Sequence, residues 1–200
     1  VPVINVKALK ADLRAKYRKI RECCPADVKK SLDQSLTQIF LNLHEYKQCE
    51  KLFVFVSSPI EVDTTDIICQ ALSDGKQVAV PKCTDKNGKM EFYFIKSLNQ
   101  LEKGTFGIME PKENICEQVS DLGNGLCIVP GICFDMFGYR IGFGKGYYDR
   151  FLERFGGTTA GLCYSKCTEH ELPRGNHDKR VDILITEKFI NHTNNLYSKG

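Results

Sequence analysis

The sequence predicts an α/β fold: a single domain in which a mixed, mostly parallel central sheet is flanked by helices. Three observations carry this expectation. Short apolar runs at residues 51–56 (KLFVFV) and 126–129 (LCIV) end at Ser57-Ser58-Pro59 and at Pro130-Gly131, the pattern of strands buried on both faces. Each run is followed by a helix signal and a further apolar run, the order of a βαβ unit. Two amphipathic stretches precede the first run and supply helix to cover the sheet.

Residues 5–22 read as an amphipathic helix with Asn5 as its cap. Val6, Leu9, Leu13, Tyr17 and Ile20 share one stripe, while Lys7, Lys10, Arg14, Arg18 and Arg21 form a cationic stripe one position along. The ordinary role of such a stripe is a solvated basic face. Pro25 suits the first turn of a second helix, which Val28, Leu32, Leu36, Ile39 and Leu43 carry to about His44, a surface or helix-end histidine. Thr64 and Thr65 can cap a helix over 66–72, closed by Asp74-Gly75 before a strand over 77–81. A turn at 85–89 then leads to a strand over 90–95, which suits antiparallel pairing with 77–81.

Residues 112–124 are polar and read as a connecting loop with room for one short helix. Strand 126–129 ends at the same sheet edge as Glu61 and runs into a glycine-rich segment, followed by a helix over 147–155 and a strand over 158–164. Asp135 reads as a structural turn or cap residue. The polar stretch 166–180, with His170 and His177, has the length of an active-site flap. A strand over 182–186, an edge strand over 189–192 and a frayed tail from 194 complete the chain. No repeat, low-complexity block or linker divides residues 1–200, so they are expected to form one doubly wound, Rossmann-like domain, with ligands outside the carboxyl ends of its parallel strands.

Two hundred residues with 42% hydrophobic content are enough for one full core. A net charge of +3 is too small to argue for nucleic acid, but it leaves room for an acidic small molecule where positive groups cluster. The ten cysteines form no C-x-x-C pair and no zinc-ribbon spacing, and several lie in apolar runs. They read as reduced structural thiols of a cytoplasmic protein. No apolar run reaches the ~20 residues that span a bilayer, so no membrane partner is expected.

The stretch from Gly131 to Leu152, GICFDMFGYRIGFGKGYYDRFL, holds the chemistry. Gly142, Gly144 and Gly146 alternate, with Arg140 before them, Lys145 among them and Tyr147-Tyr148-Asp149 after. Glycine permits positive φ and lets an anion approach several N–H groups at once. A Walker A loop is excluded, because five residues rather than four separate Gly138 from Gly144 and Gly146 follows Lys145 where a Ser or Thr is required. The dinucleotide fingerprint fails too, since the order is G-x-G-x-G. A phosphate cradle and a plain glycine-rich hairpin both fit what remains.

The run PGICFD…GYRIGFGKGYYDRFL closely resembles the signature of the 5-formyltetrahydrofolate cyclo-ligase family, also called methenyltetrahydrofolate synthetases. Shorter matches keep the family's order: Lys10-x-x-Leu13-Arg14, Glu61-Val62-Asp63-Thr64, Phe106-Gly107-Ile108-Met109-Glu110-Pro111 and Val181-Asp182. The resemblance implies ATP-binding by Lys10, Arg14, Arg140, Ile141, Gly142, Phe143, Gly144, Lys145, Gly146, Tyr147 and Tyr148, with Lys145 and Arg140 acting on the transferred phosphoryl group. It implies folate contacts from Glu61, Phe106 and Tyr147, and Mg²⁺ held by Asp149 and Asp182. Many relatives carry tryptophan or another residue where this chain has Phe106, so only a stacking role carries over. Some relatives carry arginine at the position of Phe143, so one cationic contact to phosphate or folate is missing here, which bears on affinity more than on reaction type.

The implied reaction is the ATP- and Mg²⁺-dependent cyclisation of 5-formyltetrahydrofolate to 5,10-methenyltetrahydrofolate through an N5-iminophosphate, by a cytoplasmic monomer with no nucleic-acid partner. Alignment and charge neutralisation suffice for such a transfer, and no Ser/His/Asp triad is needed. Two other readings compete. One is a non-catalytic RNA- or nucleotide-binding module using the basic helix and aromatic loop; the other is a sugar-phosphate isomerase or hydrolase.

Overall fold

A computed structural model describes residues 5–83, 89–104 and 107–194. Helices α1 (Val6–Glu22) and α2 (Ala26–Asn42) lead through the short α3 (His44–Gln48) to β1 (Lys51–Val54), α4 (Thr65–Ser73), β2 (Gln77–Cys83) and β3 (Met90–Ile95). A ribbon of β4 (Leu101–Lys103) and β5 (Met109–Pro111), then β6 (Glu117–Gln118), precede β7 (Leu126–Val129). The remaining elements are β8 (Cys133–Asp135), β9 (Arg140–Ile141), α5 (Tyr147–Leu152), β10 (Thr158–Leu162), β11 (Thr168–Glu169), β12 (Ile183–Ile185) and β13 (Ile190–His192).

The central sheet has eight strands in the order β13-β12-β10-β7-β1-β2-β3-β6. Strands β12, β10, β7, β1 and β2 are mutually parallel, and the antiparallel β13, β3 and β6 complete the margins. The chain moves one way from β1 to β2 and the opposite way from β7 to β10, so right-handed crossovers put α4 and α5 on opposite faces. This is the mixed, mostly parallel α/β sheet expected. Strands β1 and β7 are buried almost throughout, as their unbroken apolar runs require.

On the α5 side, Phe53, Phe92, Phe151 and Phe155 form one aromatic cluster with ring centroids 4.6 to 6.2 Å apart. Such tilted and edge-on pairs add to the burial of ring area, which is the main anchor of so short a helix. A second small sheet, β11-β8-β9, carries the hairpin that returns the chain from β7 to the glycine loop. Asp135 holds the bend as the turn residue expected, its Oδ1 accepting from Phe137 N and Tyr139 N at 2.9 Å and its Oδ2 from Leu172 N at 3.0 Å.

Several boundaries differ from the sequence pattern for local reasons. Strand β1 stops at Val54 because the Phe55 carbonyl is taken by the Thr64 hydroxyl at 2.7 Å rather than by the ladder. Helix α2 ends at Asn42, where Leu43 turns extended, and exposed His44 opens α3. Helix α5 ends at Leu152, three residues early, as the chain turns for Gly156 N to donate to the Leu122 carbonyl. Residues 112–124 hold no helix. Leu9 is exposed, whereas Tyr17 of the same stripe is buried and Leu13 and Ile20 pack against the core. Residues 85–88 of the expected turn and 195–200 of the expected tail lie outside the described residues.

All ten cysteines are free, and Cys116, Cys127, Cys133, Cys163 and Cys167 are buried. No helix among the described residues is long and apolar enough to cross a membrane.

Candidate active site

The parallel strands bring their carboxyl ends to one edge, where the Glu61 turn after β1 meets the loop after β7. Ile132 N donates to the Ile141 carbonyl at 2.7 Å, so buried Ile141 delivers the glycine loop 142–146 to that same edge. Gly144 and Gly146 have φ of +91° and +69°, which L side chains rarely adopt. Gly142 needs no such conformation, and a Cβ built on it would meet no atom of the described residues within 4 Å. Around it, Phe143 and Lys145 are exposed.

The cationic stripe of α1 divides. Lys7 and Arg18 are solvated, as such faces usually are. Arg14 instead reaches the loop, its Nε donating to the Gly142 carbonyl at 2.8 Å. Lys10 pairs with Asp178 on the 166–180 stretch. That stretch is anchored a second time where the Tyr17 hydroxyl and Lys16 donate to Glu169 at 2.6 and 2.9 Å.

Arg140 is buried. Its Nη2 donates to Asp149 Oδ1 at 3.0 Å and its Nη1 to the Lys179 carbonyl at 2.8 Å, while its Nε has no partner among the described residues. The guanidinium thus ties α5 to the 166–180 stretch. Asp149 remains 32% exposed beside the loop. Asp182 is held elsewhere: it lies at the amino end of β12, its Oδ2 accepting from Thr159 N and Oγ1 at 2.8 Å and its Oδ1 from Asn194 at 3.1 Å. The two aspartates therefore have separate partners, and the described residues contain no group of three or more His, Cys, Asp or Glu side chains able to hold a metal. Magnesium on a nucleotide needs only one or two carboxylates, the rest coming from phosphate and water. Part-exposed Asp149 next to the glycine loop fits that requirement.

Glu61 is buried, with Oε2 accepting from Ser58 N at 2.8 Å. Burial pushes its carboxyl above the ordinary glutamate value, against the Ser58 hydrogen bond and the charges of Arg21 and Lys29. The Tyr148 hydroxyl is buried with no hydrogen-bond partner among the described residues, in a setting that includes Cys127, Glu61, Arg140 and Cys83. Burial raises its pKa well above that of an ordinary phenol, so it remains a neutral donor. Tyr147 hydrogen-bonds the Cys83 side chain. Phe106 lies outside the described residues.

The structure thus brings Arg14, the glycine loop, Arg140 and Asp149 into one assembly, with Tyr148 beside Glu61. Sequence reasoning missed Arg21, Asp178 and Lys179. Arg21 carried a usable signal, since it stands four residues after Tyr17 and so on its buried face. Asp178 and the Lys179 backbone carried none.

Residues 6–187 match the profile of the 5-formyltetrahydrofolate cyclo-ligase family. A 5-formyltetrahydrofolate cyclo-ligase of Mus musculus is 28% identical over 195 residues, covering 92% of this chain and 96% of its own length. One from Haemophilus influenzae is 31% identical over 180 residues, covering 86% of this chain and 95% of that protein. The NMR structure of Aquifex aeolicus 5,10-methenyltetrahydrofolate synthetase superposes with a TM-score of 0.82 at 35% identity, over 92% of this chain and 93% of that one. This chain therefore belongs to the 5-formyltetrahydrofolate cyclo-ligase family.

Proposed function

We propose that the protein couples transfer of the ATP γ-phosphoryl group to closure of the 5-formyltetrahydrofolate ring, giving 5,10-methenyltetrahydrofolate, ADP and phosphate. The observation that carries this reading is the bareness of Gly142: neither backbone conformation nor packing among the described residues requires glycine there, which suits a loop that leaves room for a ligand. A triphosphate suits it, because loop amides, Arg14 and Lys145 can face its oxygens from several sides.

In this mechanism the formyl oxygen attacks the γ-phosphorus and ADP leaves. N10 then adds to the activated formyl carbon, N5–C–N10 closes, and phosphate departs with the former formyl oxygen and the proton lost from N10. The chain's contribution is placement and charge. Lys145 neutralises the transferred phosphoryl group, and Arg140 holds Asp149 in register with the loop. Glu61 accepts N–H donors of the pterin, and Tyr147, with Phe106, lines the folate side. Tyr148 is the remaining loop contact. Magnesium, when bound through Asp149 and with Asp182 as the second candidate ligand, supplies positive charge to the phosphate oxygens. Its free thiols suit a reducing compartment, and we assign it to the cytoplasm as a monomer. No observation favours the RNA-binding or sugar-phosphate alternatives.

Purified protein given 5-formyltetrahydrofolate and Mg-ATP is expected to develop the near-ultraviolet absorbance of the methenyl product, and none when ATP is omitted. Well-folded protein that forms no ATP-dependent product rejects the proposal.

A further inference from the structure

Arg21 lies in the same cationic stripe as solvated Lys7 and Arg18, yet only 4% of it is exposed. Its Nη1 donates to the Ile60 carbonyl at 3.2 Å and its Nη2 to the Gly131 carbonyl at 2.8 Å. Ile60 immediately precedes Glu61 in a turn closed from both sides, by Glu61 N to the Ser58 carbonyl at 3.0 Å and Ser58 N to Glu61 Oε2 at 2.8 Å. Gly131 opens the segment that leads to the glycine loop. One guanidinium from α1 therefore spans the two loops at the carboxyl edge. It lies over the Tyr164 ring at 5.3 Å, whose hydroxyl donates to Asp33 at 2.7 Å. Asp33 in turn pairs with Lys29 and accepts from Asp63 N at 3.2 Å, which fixes the far side of the Glu61 turn.

We propose that Arg21 is a positioning residue for folate recognition: its fork fixes the Glu61 turn against the loop after β7, and its charge faces the carboxylate that receives the pterin. This rests on the assignment of Glu61 to the pterin made above.

The chemistry explains why a buried arginine is kept. An ionised carboxylate is an acceptor only, as paired pterin N–H donors require, whereas a protonated one presents a donor. Burial favours the protonated form of Glu61. The groups facing it are Arg21 from α1, Lys29 from α2, the neutral Tyr148 from α5 and Tyr164 after β10, so Arg21 and Lys29 carry the opposing charge. Lysine could keep the charge of Arg21 but not its fork, which reaches two carbonyls in fixed geometry.

The test is the pH dependence of kcat/KM for 5-formyltetrahydrofolate at saturating Mg-ATP in Arg21→Met, Arg21→Lys and Glu61→Gln. Arg21→Met is expected to move the acid limb to higher pH by roughly one unit and to raise the folate KM about tenfold at neutral pH. The KM for ATP should change far less. Arg21→Lys should restore the acid limb while leaving the folate KM raised, because only one carbonyl can be bridged. A merely structural arginine would lower thermal stability and leave the acid limb in place, so an unmoved limb in folded Arg21→Met overturns the proposal. Should Arg21→Met fail to fold, Arg21→Lys decides, and a parental folate KM overturns it. Glu61→Gln separates the two assignments: an unchanged folate KM removes Glu61 from the pterin, whereas a raised one with an unmoved Arg21→Met limb removes Arg21 alone.

Discussion

The two edges of the parallel sheet are built from similar materials, glycines, carboxylates and a basic or imidazole side chain, but they use them differently. At the amino edge, Glu45, Gly125, Gly157, Asp182 and His192 line a cavity of about 660 Å³. There the polar groups already have partners, Asp182 with Thr159 and Asn194, and Glu45 with His192 at 3.8 Å. The glycines leave no room, since a Cβ on Gly157 would stand 2.3 Å from the Gly125 carbonyl oxygen. At the carboxyl edge, by contrast, Tyr148 Oη and the Nε atoms of Arg21 and Arg140 are buried without partners among the described residues, and a Cβ on Gly142 would meet none of their atoms within 4 Å. Unsatisfied buried polarity marks a place built for a ligand better than volume does.

The largest effect expected from this contrast is at Lys145. Its side chain is exposed, so Lys145→Ala should alter stability by no more than ~0.5 kcal/mol. If it faces the transferred phosphoryl group, kcat/KM should fall roughly a hundredfold, as when one preorganised donor to developing charge is lost. Steady-state kinetics beside a thermal melt checks this, and parental activity would move the phosphoryl site off the loop.

The glycines give the next test. Gly157→Ala must push the chain away from the Gly125 carbonyl, at a cost of about 1–3 kcal/mol. Gly142→Ala meets no atom of the described residues, so its stability should be unchanged or slightly raised. Its methyl group would instead occupy the nucleotide's approach and raise the KM for ATP. Denaturant melts and ATP kinetics on both variants decide it. A destabilised Gly142→Ala with a normal KM for ATP would make the loop an ordinary hairpin.

How far the sequence revealed these edges depends on the range of the interactions involved. Strands β1, β3 and β7 were legible because an apolar run records burial on both faces residue by residue. The glycine loop was legible because its backbone demands are local. The ribbon of β4 and β5 was not, since three-residue strands carry too little pattern. Arg140 shows the deeper limit. Its place in the motif suggested a phosphate contact, but its pairing with Asp149 and with the Lys179 carbonyl, 39 residues away, follows from how the 166–180 stretch folds back. Spacing also could not tell whether Asp149 and Asp182 meet, since each finds its partners through tertiary structure.

Those two aspartates allow the finest test of the contrast between the edges. Asp149 is part-exposed next to the loop, while Asp182 already accepts three hydrogen bonds at the other edge. Asparagine keeps one acceptor oxygen at either position, so each substitution mainly removes charge. Asp149→Asn is expected to raise the Mg²⁺ midpoint of turnover about fivefold, or ~1 kcal/mol, the scale of one part-exposed charge pair. Asp182→Asn should move that midpoint less and instead lower stability by about 1 kcal/mol, because the bonds to Thr159 weaken. Magnesium titrations of both variants, with melts in parallel, order the two carboxylates. A larger midpoint shift in Asp182→Asn would transfer the metal to the amino edge and remove the division of labour between the edges.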